Sequence, residues 1–324
     1  MPRSQKKILV TGAIAFDHLF SYGASLLEQL REVTTLDVLS VSFEPSAYIK
    51  RLGGTGANIA WNLALLGGRP LLVGNVGPDG KDYVQILKKR GIDVACIDEK
   101  ATSMTATGVC LSDPRAHQIW FFYRGADAVG HWPELTKKVA STIDYAIIGP
   151  RHYVQMLEGL AWCKTHKIPR LFDPGQEILR YTPQSLKRAI NMSTGVIVNE
   201  FEWGMLKKRL KCTPEDLTKK VEYLIITKGE AGHVIYTKKG KKSFPRCNCE
   251  HPVDPTGAGD AFRAGLVLGI TSGWSLDHAS QLGAAIASFV VEEHGTHLDL
   301  LNLNHLRKRV KEAYGNSLPA LPMD

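Results

Sequence analysis

Long apolar runs are missing from the 324 residues of this chain. The longest stretch without a charged residue, residues 52–68, is rich in Gly and Asn, whereas a membrane-spanning helix needs roughly 18 or more mostly apolar residues. The apolar residues 8–10, which follow a basic N-terminus, are too few for the core of a signal peptide. We therefore expect a cytoplasmic protein with no membrane partner.

Cysteine is scarce, and low-complexity sequence is absent. The six cysteines are spread along the chain, and without a secretory signal they are expected to be free thiols. Cys247, Cys249 and His251 are close in sequence, but a structural zinc site needs four ligands, and the alternation over residues 244–250 also fits a strand. Since 44% of the residues are hydrophobic, the composition excludes a disordered chain.

Three common enzyme motifs are also missing, namely Gly-x-Ser-x-Gly, His-Glu-x-x-His and the Walker A lysine motif. Acidic residues are outnumbered by basic ones, 32 against 40, which leaves a net charge of +8. Such a charge fits either a nucleic-acid surface or an enzyme with anionic substrates. Because the basic residues occur as scattered pairs such as Lys88 and Lys89, without interleaved aromatic residues, we expect no nucleic-acid partner.

The residues that are present alternate between short apolar runs and helical patterns. Strands are predicted at residues 8–11, 145–148 and 196–198, and helices at residues 56–66 and 258–270, among others. This alternation predicts an α/β fold with a mostly parallel sheet covered on both faces. Residues 16–52 and 101–126 break the alternation and are rich in strand-forming residues. We expect one domain, residues 1–324, with these two segments as a small β lid.

Residues 254–260 read Asp-Pro-Thr-Gly-Ala-Gly-Asp and precede an apolar helical pattern. Two close glycines at a helix N-terminus expose backbone N–H groups at its positive end, where anions bind. A carboxylate in the first turn, Asp260, can take the proton of an attacking hydroxyl while the N–H groups stabilise a transferring phosphoryl group. The alternative is that Asp260 only caps the helix.

Four motifs resemble, in the same order, those of the ribokinase-like (PfkB) carbohydrate and nucleoside kinases. Residues 254–260 resemble the C-terminal signature, and residues 53–60, Gly-Gly-Thr-Gly-Ala-Asn-Ile-Ala, resemble the N-terminal one. Residues 199–202, Asn-Glu-Phe-Glu, match the Asn-x-x-Glu motif, and residues 227–229, Thr-Lys-Gly, resemble the Thr-x-Gly strand end. The resemblance implies a three-layer α/β/α ribokinase-like fold and an ATP-dependent kinase with an alcohol group as acceptor.

The resemblance also implies roles for the residues of these motifs. Asp260 would be the catalytic base, and the anion hole would consist of Gly257, Ala258 and Gly259. The residues that would contact ATP are Asn199, Thr227, Gly229 and Arg263. For Arg263, packing against a neighbouring element is the alternative.

Metal binding is implied at two places. Asn199 and Glu202 would hold Mg²⁺ through water, because Mg²⁺ tends to keep its hydration shell. Asn199 also fits a helix N-cap, and both roles are compatible. Asp254 and Thr256 lie where many family members bind a monovalent cation such as K⁺, but Pro255 stands where Thr is common. The dependence on K⁺ therefore stays open.

The acceptor side is predicted from residues near the first strand and the Gly-Gly turn. Asp17 follows the first strand, at the sheet edge where ligands bind in open α/β sheets, and its carboxylate can accept hydrogen bonds from two vicinal sugar hydroxyls. Gly54 lets the backbone approach the sugar, and Asn58 offers both a donor and an acceptor. The alternative for Asn58 is a polar residue at the start of a helix.

Within the family, the sequence most resembles the bacterial-type adenosine and nucleoside kinases. This resemblance implies that Phe122, from the lid, covers the base and that Gln176 contacts the base or the ribose. The predicted reaction is ATP-dependent phosphorylation of the 5′-hydroxyl of a ribonucleoside, adenosine first. The alternatives are a sugar kinase for ribose, fructose or a keto-sugar acid, and a non-catalytic sugar or nucleotide sensor. A homodimer formed through the lid is a further hypothesis.

Overall fold

The computed structural model of the chain describes residues 7–31, 41–99, 102–115, 117–129 and 132–322. Residues 1–6, which enter the signal-peptide expectation, lie outside the described residues, as do residues 32–40, 101 and 116 of the predicted lid segments. Within the described ranges, none of the helices has the length and apolar composition needed to cross a membrane.

A nine-stranded sheet forms the centre of the fold. The strands of the described chain are β1 (Lys7–Thr11), β2 (Ala15–Ser21), β3 (Ala47–Gly53), β4 (Arg69–Asn75), β5 (Asp93–Asp98), β6 (Ala106–Ser112), β7 (Gln118–Tyr123), β8 (Ile143–Ile148), β9 (Arg170–Phe172), β10 (Gly195–Asn199), β11 (Tyr223–Thr227), β12 (His233–Thr237) and β13 (Gly240–Phe244). The order in the large sheet is β13-β12-β11-β10-β9-β8-β1-β4-β5. The strands from β11 to β5 in that order pair in parallel, whereas the pairs β11–β12 and β12–β13 are antiparallel.

Helices cover both faces of this sheet. They are α1 (Leu26–Arg31), α2 (Thr55–Leu65), α3 (Lys81–Lys89), α4 (Ala126–Val129), α5 (Lys137–Ala140), α6 (Tyr153–Thr165), α7 (Pro183–Asn191), α8 (Glu200–Leu210), α9 (Pro214–Thr218), α10 (Ala258–Thr271), α11 (Leu276–Val290) and α12 (Leu303–Tyr314). Ile8 and Val10 join the core under α2, α3, α10, α11 and α12, whereas Leu9 joins the core under α6 to α9. This two-residue period is that of a strand buried on both faces, and it confirms the predicted three-layer α/β/α fold.

A second, four-stranded sheet stands beside the large one, with the order β3-β2-β6-β7. All four strands fall in or at the edge of the two segments that break the α/β alternation. Its edge strand β7 carries exposed aromatic side chains: Phe121 is 63% exposed and Tyr123 is 55% exposed. The small sheet confirms the predicted β lid.

The region after β11 differs from the sequence-based expectation. The hairpin of β12 and β13 was not predicted, because the exposed lysines of β13 mask its strand pattern, as is common for edge strands. The strand predicted over residues 244–250 is wrong beyond Phe244, where β13 ends. There the chain turns under α12, the Tyr314 hydroxyl donates to the Pro245 carbonyl at 2.9 Å, and Cys247 is buried.

The cysteines agree with their expected chemistry. All six are free. Among the described residues, no group of three or more His, Cys, Asp or Glu side chains is arranged to hold a metal ion. Cys247 is buried in the core, and both Cys247 and Cys249 line a cavity.

Candidate active site

Asp17 lies on β2, on the face of the lid that is turned towards the large sheet. Its register partners are Arg51 on β3 and Gly108 on β6. A Cβ atom on Gly108 would lie 2.6 Å from the Asp17 Oδ1 atom, so the glycine leaves room for the carboxylate. Burial raises the pKa of Asp17 to about 6, and the charge of Arg51 partly offsets this.

Asn58 connects α2 to α10. Its Nδ2 atom donates to Asp260 Oδ2 at 2.8 Å, and its Oδ1 atom accepts from the Thr296 hydroxyl at 2.8 Å. Asn58 follows Gly54, the N-cap of α2, whose φ of 93° lies in a region that favours glycine. A Cβ atom on Gly54 would lie 2.5 Å from the Ala13 carbonyl oxygen, so this turn also requires the absence of a side chain.

Asp260 is the most strongly perturbed carboxylate of the site. Burial raises its pKa to about 7, and the nearby charges of Asp173 and Asp17 act in the same direction. The hydrogen bond from Asn58 and the charge of Arg263 oppose this rise. A carboxylate with a pKa near 7 is well matched to the task of a general base at neutral pH.

The turn that begins α10 has the backbone geometry of an anion site. Gly257, the N-cap, has a φ of 81° in the left-handed region, and a Cβ atom on it would lie 2.8 Å from Thr296 Cβ. The Ala258 N–H donates to the Pro255 carbonyl at 3.2 Å. Among the three residues predicted for the anion hole, Gly257 and Gly259 are therefore the better candidates for N–H donors, since Ala258 already has a backbone acceptor.

Arg263 is held inside the protein. Its Nη2 atom donates to Asp173 Oδ1 at 2.8 Å, its Nε atom donates to the other carboxylate oxygen, and its Nη1 atom donates to the Gly259 carbonyl at 2.9 Å. Asp173 is 1% exposed and Arg263 is 6% exposed. This geometry favours the packing alternative for Arg263 over the predicted contact with ATP, because each nitrogen of the buried guanidinium already donates to an acceptor inside the protein.

Asn199 and Glu202 form a capping box at the start of α8. The Asn199 Oδ1 atom accepts from the Glu202 N–H at 2.8 Å, and Glu202 Oε2 accepts from the Asn199 N–H at 2.8 Å. Burial, and then the charge of Asp173, raise the pKa of Glu202. A hydrated Mg²⁺ ion fits this donor set, because its charge would offset the buried carboxylates and Glu202 retains a second oxygen.

A monovalent cation fits its predicted place less well. The Asp254 Oδ1 atom accepts from the Thr256 N–H at 2.9 Å, and its Oδ2 atom lies 3.5 Å from Arg51 Nη1. The Arg51 guanidinium already supplies a positive charge at this carboxylate. The residues present therefore do not require K⁺.

Two cavities border on this set of residues. The first, of about 660 Å³, is lined by the lid residue Phe122, by Gln176 in the 3₁₀ turn Gly175–Arg180, and by Glu202. The second, of about 550 Å³, has walls from β10, β11, α10 and α11. The second cavity contains three of the four residues that were predicted to contact ATP, namely Asn199, Thr227 and Gly229, and two of the predicted anion hole, Ala258 and Gly259.

The structure thus hydrogen-bonds Asn58 to Asp260 and brings the charge of Asp17 close enough to raise the pKa of Asp260. The capping box of α8 lies between the two cavities, with Glu202 in the wall of the first and Asn199 in the wall of the second. Neither Thr296 nor Asp173 was given a role from the sequence, although residues 173–176 contribute to the resemblance to nucleoside kinases. Both contact the site from loops, after α11 and after β9. Each is an ordinary residue type in a loop, and only the fold shows its partner. Arg124 and Glu177, an ion pair in the wall of the first cavity, were missed for the same reason.

Comparisons with known proteins agree with this geometry. The sequence model of the pfkB family carbohydrate kinases matches residues 17–302. A nucleoside kinase of Methanocaldococcus jannaschii is 30% identical over 315 residues, which are 96% of this chain and 99% of that protein. A nucleoside kinase of Methanothermobacter thermautotrophicus is 28% identical over 332 residues, which are 97% of this chain and 98% of that protein.

A solved structure gives the same result. The nucleoside kinase of Burkholderia thailandensis in complex with inosine superimposes with a TM-score of 0.84 at 26% identity, and the match covers 97% of this chain and 100% of that one. The family match spans well over half of the chain. The chain therefore belongs to the pfkB family of carbohydrate kinases and is an ATP-dependent kinase that acts on a hydroxyl group of a nucleoside or sugar.

Proposed function

We propose that this protein phosphorylates the 5′-hydroxyl of a ribonucleoside, with adenosine as the first candidate. One observation carries the proposal. The Asp260 carboxylate lies in the first turn of α10, hydrogen-bonded to Asn58, and its neighbours Ala258 and Gly259 line the cavity that also contains Asn199, Thr227 and Gly229. Glu202, the capping-box partner of Asn199, lines the other cavity, which is of nucleoside size. An acceptor in the first cavity and a phosphoryl donor in the second would meet at this carboxylate.

The catalytic roles follow from charge and position. Asp260 would remove the proton of the acceptor hydroxyl, and its pKa of about 7 keeps a large fraction in the basic form at neutral pH. Gly257 and Gly259 would donate backbone N–H groups to the transferring phosphoryl group. Arg263 would act indirectly. Its charge lowers the pKa of Asp260 while its guanidinium stays paired with Asp173.

The sugar would be held by Asp17, Asn58 and the backbone at Gly54. With its pKa of about 6, Asp17 is mostly ionised at neutral pH and can accept hydrogen bonds from two hydroxyls. Such charge-assisted hydrogen bonds are roughly twice as strong as neutral ones. We propose that residues 1–324 act as one catalytic domain, with the lid that carries Asp17 and Phe122 excluding water from the transfer.

ATP would occupy the second cavity, against Thr227 and Gly229, and Asn199 and Glu202 would hold Mg²⁺ through water. When bound, Mg²⁺ neutralises part of the phosphate charge. K⁺ is left out of the proposal because Arg51 already neutralises Asp254.

A panel of acceptors tests the proposal. We would measure ADP release with ATP and Mg²⁺ against adenosine, inosine, guanosine, cytidine, ribose and fructose. Turnover of nucleosides, with adenosine among the best, supports the proposal, and the inosine bound to the Burkholderia protein makes inosine its strongest competitor. Turnover of free sugars alone would favour the alternative, a sugar kinase. Absence of turnover with every acceptor would overturn the proposal and favour a sensor.

Phe122→Ala separates nucleosides from sugars that have no base. Phe122 is 54% exposed in the wall of the first cavity, as a stacking platform requires. Base–aromatic stacking is worth about 1–3 kcal/mol, so KM for the nucleoside should rise about 5- to 150-fold while kcat changes little. Leu179→Ala, which truncates another exposed apolar residue of the same wall, is the matched control. An unchanged KM would remove the base from the proposed recognition.

The lid also supports the hypothesis of a homodimer. Phe121 and Tyr123 lie on one face of β7 and are largely exposed, and an exposed apolar patch is typical of an interaction surface. Light scattering at micromolar concentration should give twice the mass of the 35.7 kDa chain. Phe121→Glu should shift the population to monomer, whereas Leu300→Glu, at a position that is 88% exposed, should not. A wild-type monomer would contradict the hypothesis.

A further inference from the structure

Thr296 contacts two parts of the candidate active site. It lies in the loop between α11 and α12, and its side chain is almost completely buried at 6% exposure. Its hydroxyl donates to Asn58 Oδ1 at 2.8 Å. Its Cβ and Cγ2 atoms lie 2.8 Å from the place that a Cβ atom of Gly257 would occupy. Thr296 therefore makes a hydrogen bond with its hydroxyl and an apolar packing contact with its methyl side.

The Thr296 hydroxyl holds the end of the Asn58 amide that faces away from Asp260. An amide side chain has an acceptor end and a donor end, and a threonine hydroxyl can bond to either of them. The ionised Asp260 carboxylate only accepts, so it takes the Nδ2 end at 2.8 Å, and the Thr296 hydroxyl donates to the Oδ1 end at 2.8 Å. With the amide reversed, a carbonyl oxygen would face the Asp260 carboxylate, and two acceptors would repel each other.

The loop that carries Thr296 is fixed to α2, so the hydroxyl cannot easily move away. The Trp61 indole N–H donates to the Leu298 carbonyl at 2.8 Å, and Arg90 donates to the same carbonyl at 2.8 Å. The imidazole of His297 stacks on Trp61 with 4.4 Å between ring centroids. Asn62 adds a bond to the Thr296 carbonyl at 3.4 Å.

We propose that Thr296 is a positioning residue of the phosphoryl-transfer site, which holds the Asn58 amide in place against Asp260 through its hydroxyl and supports the Gly257 turn through its methyl group. This inference rests on the proposed function, since it assigns Asp260 as the base. The charged groups around Asp260 are Arg263 on α10, Asp173 after β9 and Asp17 on β2. None of them is changed by substitution at Thr296.

Two substitutions separate the hydroxyl from the methyl group. Thr296→Val keeps the shape and removes the hydroxyl, so the Asn58 amide loses the bond that holds its Oδ1 end. We expect kcat to fall about fivefold, in line with the loss of about 1 kcal/mol for a buried hydrogen bond, with KM for the nucleoside nearly unchanged. Thr296→Ser keeps the hydroxyl and should retain most of kcat.

If the role of Thr296 were purely structural, its substitution would leave the pH profile of kcat/KM unchanged. The Asn58 hydrogen bond lowers the pKa of Asp260, so its loss raises that pKa and moves the acid limb of kcat/KM to higher pH. Thr296→Val should therefore regain part of its activity above pH 8, while Thr296→Ser should follow the wild-type profile. Thr271→Val is the matched control, because it removes a buried hydroxyl that bonds only to Val267 and Leu268 carbonyls at the other end of α10.

The possible results separate the two proposals. If the wild-type protein phosphorylates nucleosides and Thr296→Val shows the wild-type kcat and acid limb, the role of Thr296 is wrong and the kinase proposal stands. If Thr296→Val and Thr271→Val lose kcat equally without a shift of the limb, Thr296 is only structural. If the wild-type protein phosphorylates no acceptor of the panel, the proposed function itself fails.

Discussion

Asp260→Asn should lower kcat about 100- to 10,000-fold, the range for removal of a general base, while ATP and nucleoside bind almost as before. The amide has nearly the shape of the carboxylate, and its oxygen can still accept from Asn58 Nδ2, which lies 2.8 Å from Asp260 Oδ2 in the native site. What is lost is the ability to take the proton of the acceptor hydroxyl. Single-turnover rates and calorimetric dissociation constants, measured on the same preparation, would separate chemistry from binding.

The pH dependence of the wild-type protein tests the same assignment. A base must be deprotonated, and burial raises the pKa of Asp260 to about 7, so kcat/KM should fall as the pH drops below about 7. Asp277→Asn is the control, because it changes an exposed carboxylate whose partner is Lys242 on the surface. Near-native kcat in Asp260→Asn, or an acid limb close to the ordinary pKa of aspartate, would remove Asp260 from the mechanism even though the fold is correct.

The sequence was most informative where the local backbone conformation or the local burial itself requires a residue type. Gly257 is needed because the N-cap of α10 has a positive φ, and the apolar triplet of β1 is needed because both faces of that strand are buried. Such local requirements can be recognised without a structure. The strands named at residues 8–11, 145–148 and 196–198 and the helices named at residues 56–66 and 258–270 accordingly begin and end within two residues of the observed ones.

The sequence was least informative where a residue acts through a distant partner. Arg263 is one turn beyond Asp260, which suggested a contact with phosphate, but its partner Asp173 is 90 residues away in the chain. Thr296 and Asn58 are 238 residues apart, and neither loop threonines nor helix asparagines reveal their partners by pattern. These contacts depend on how α10 and the loop after α11 meet α2, which is a property of the packed fold.

Arg263→Met should destabilise the protein by about 3–5 kcal/mol, the cost of leaving one partner of a buried ion pair alone. Asp173 is 1% exposed, and the guanidinium donates to both of its oxygens. Removing the guanidinium leaves a carboxylate that is neither hydrated nor neutralised by it. Urea denaturation at pH 7 would measure the loss as a lower midpoint with an unchanged slope.

A double variant shows whether the cost comes from the unpaired charge or from the volume that Arg263 fills. In Arg263→Met with Asp173→Leu both charges are gone, and replacing a buried pair by apolar residues is often close to neutral, so much of the stability should return. Lys219→Met, which breaks the exposed pair of Lys219 with Asp216, should leave the midpoint unchanged within error. Equal losses in the single and the double variant would mean that Arg263 stabilises by packing alone. Activity need not return with stability, because the positive charge that keeps the pKa of Asp260 from rising further is absent from both variants.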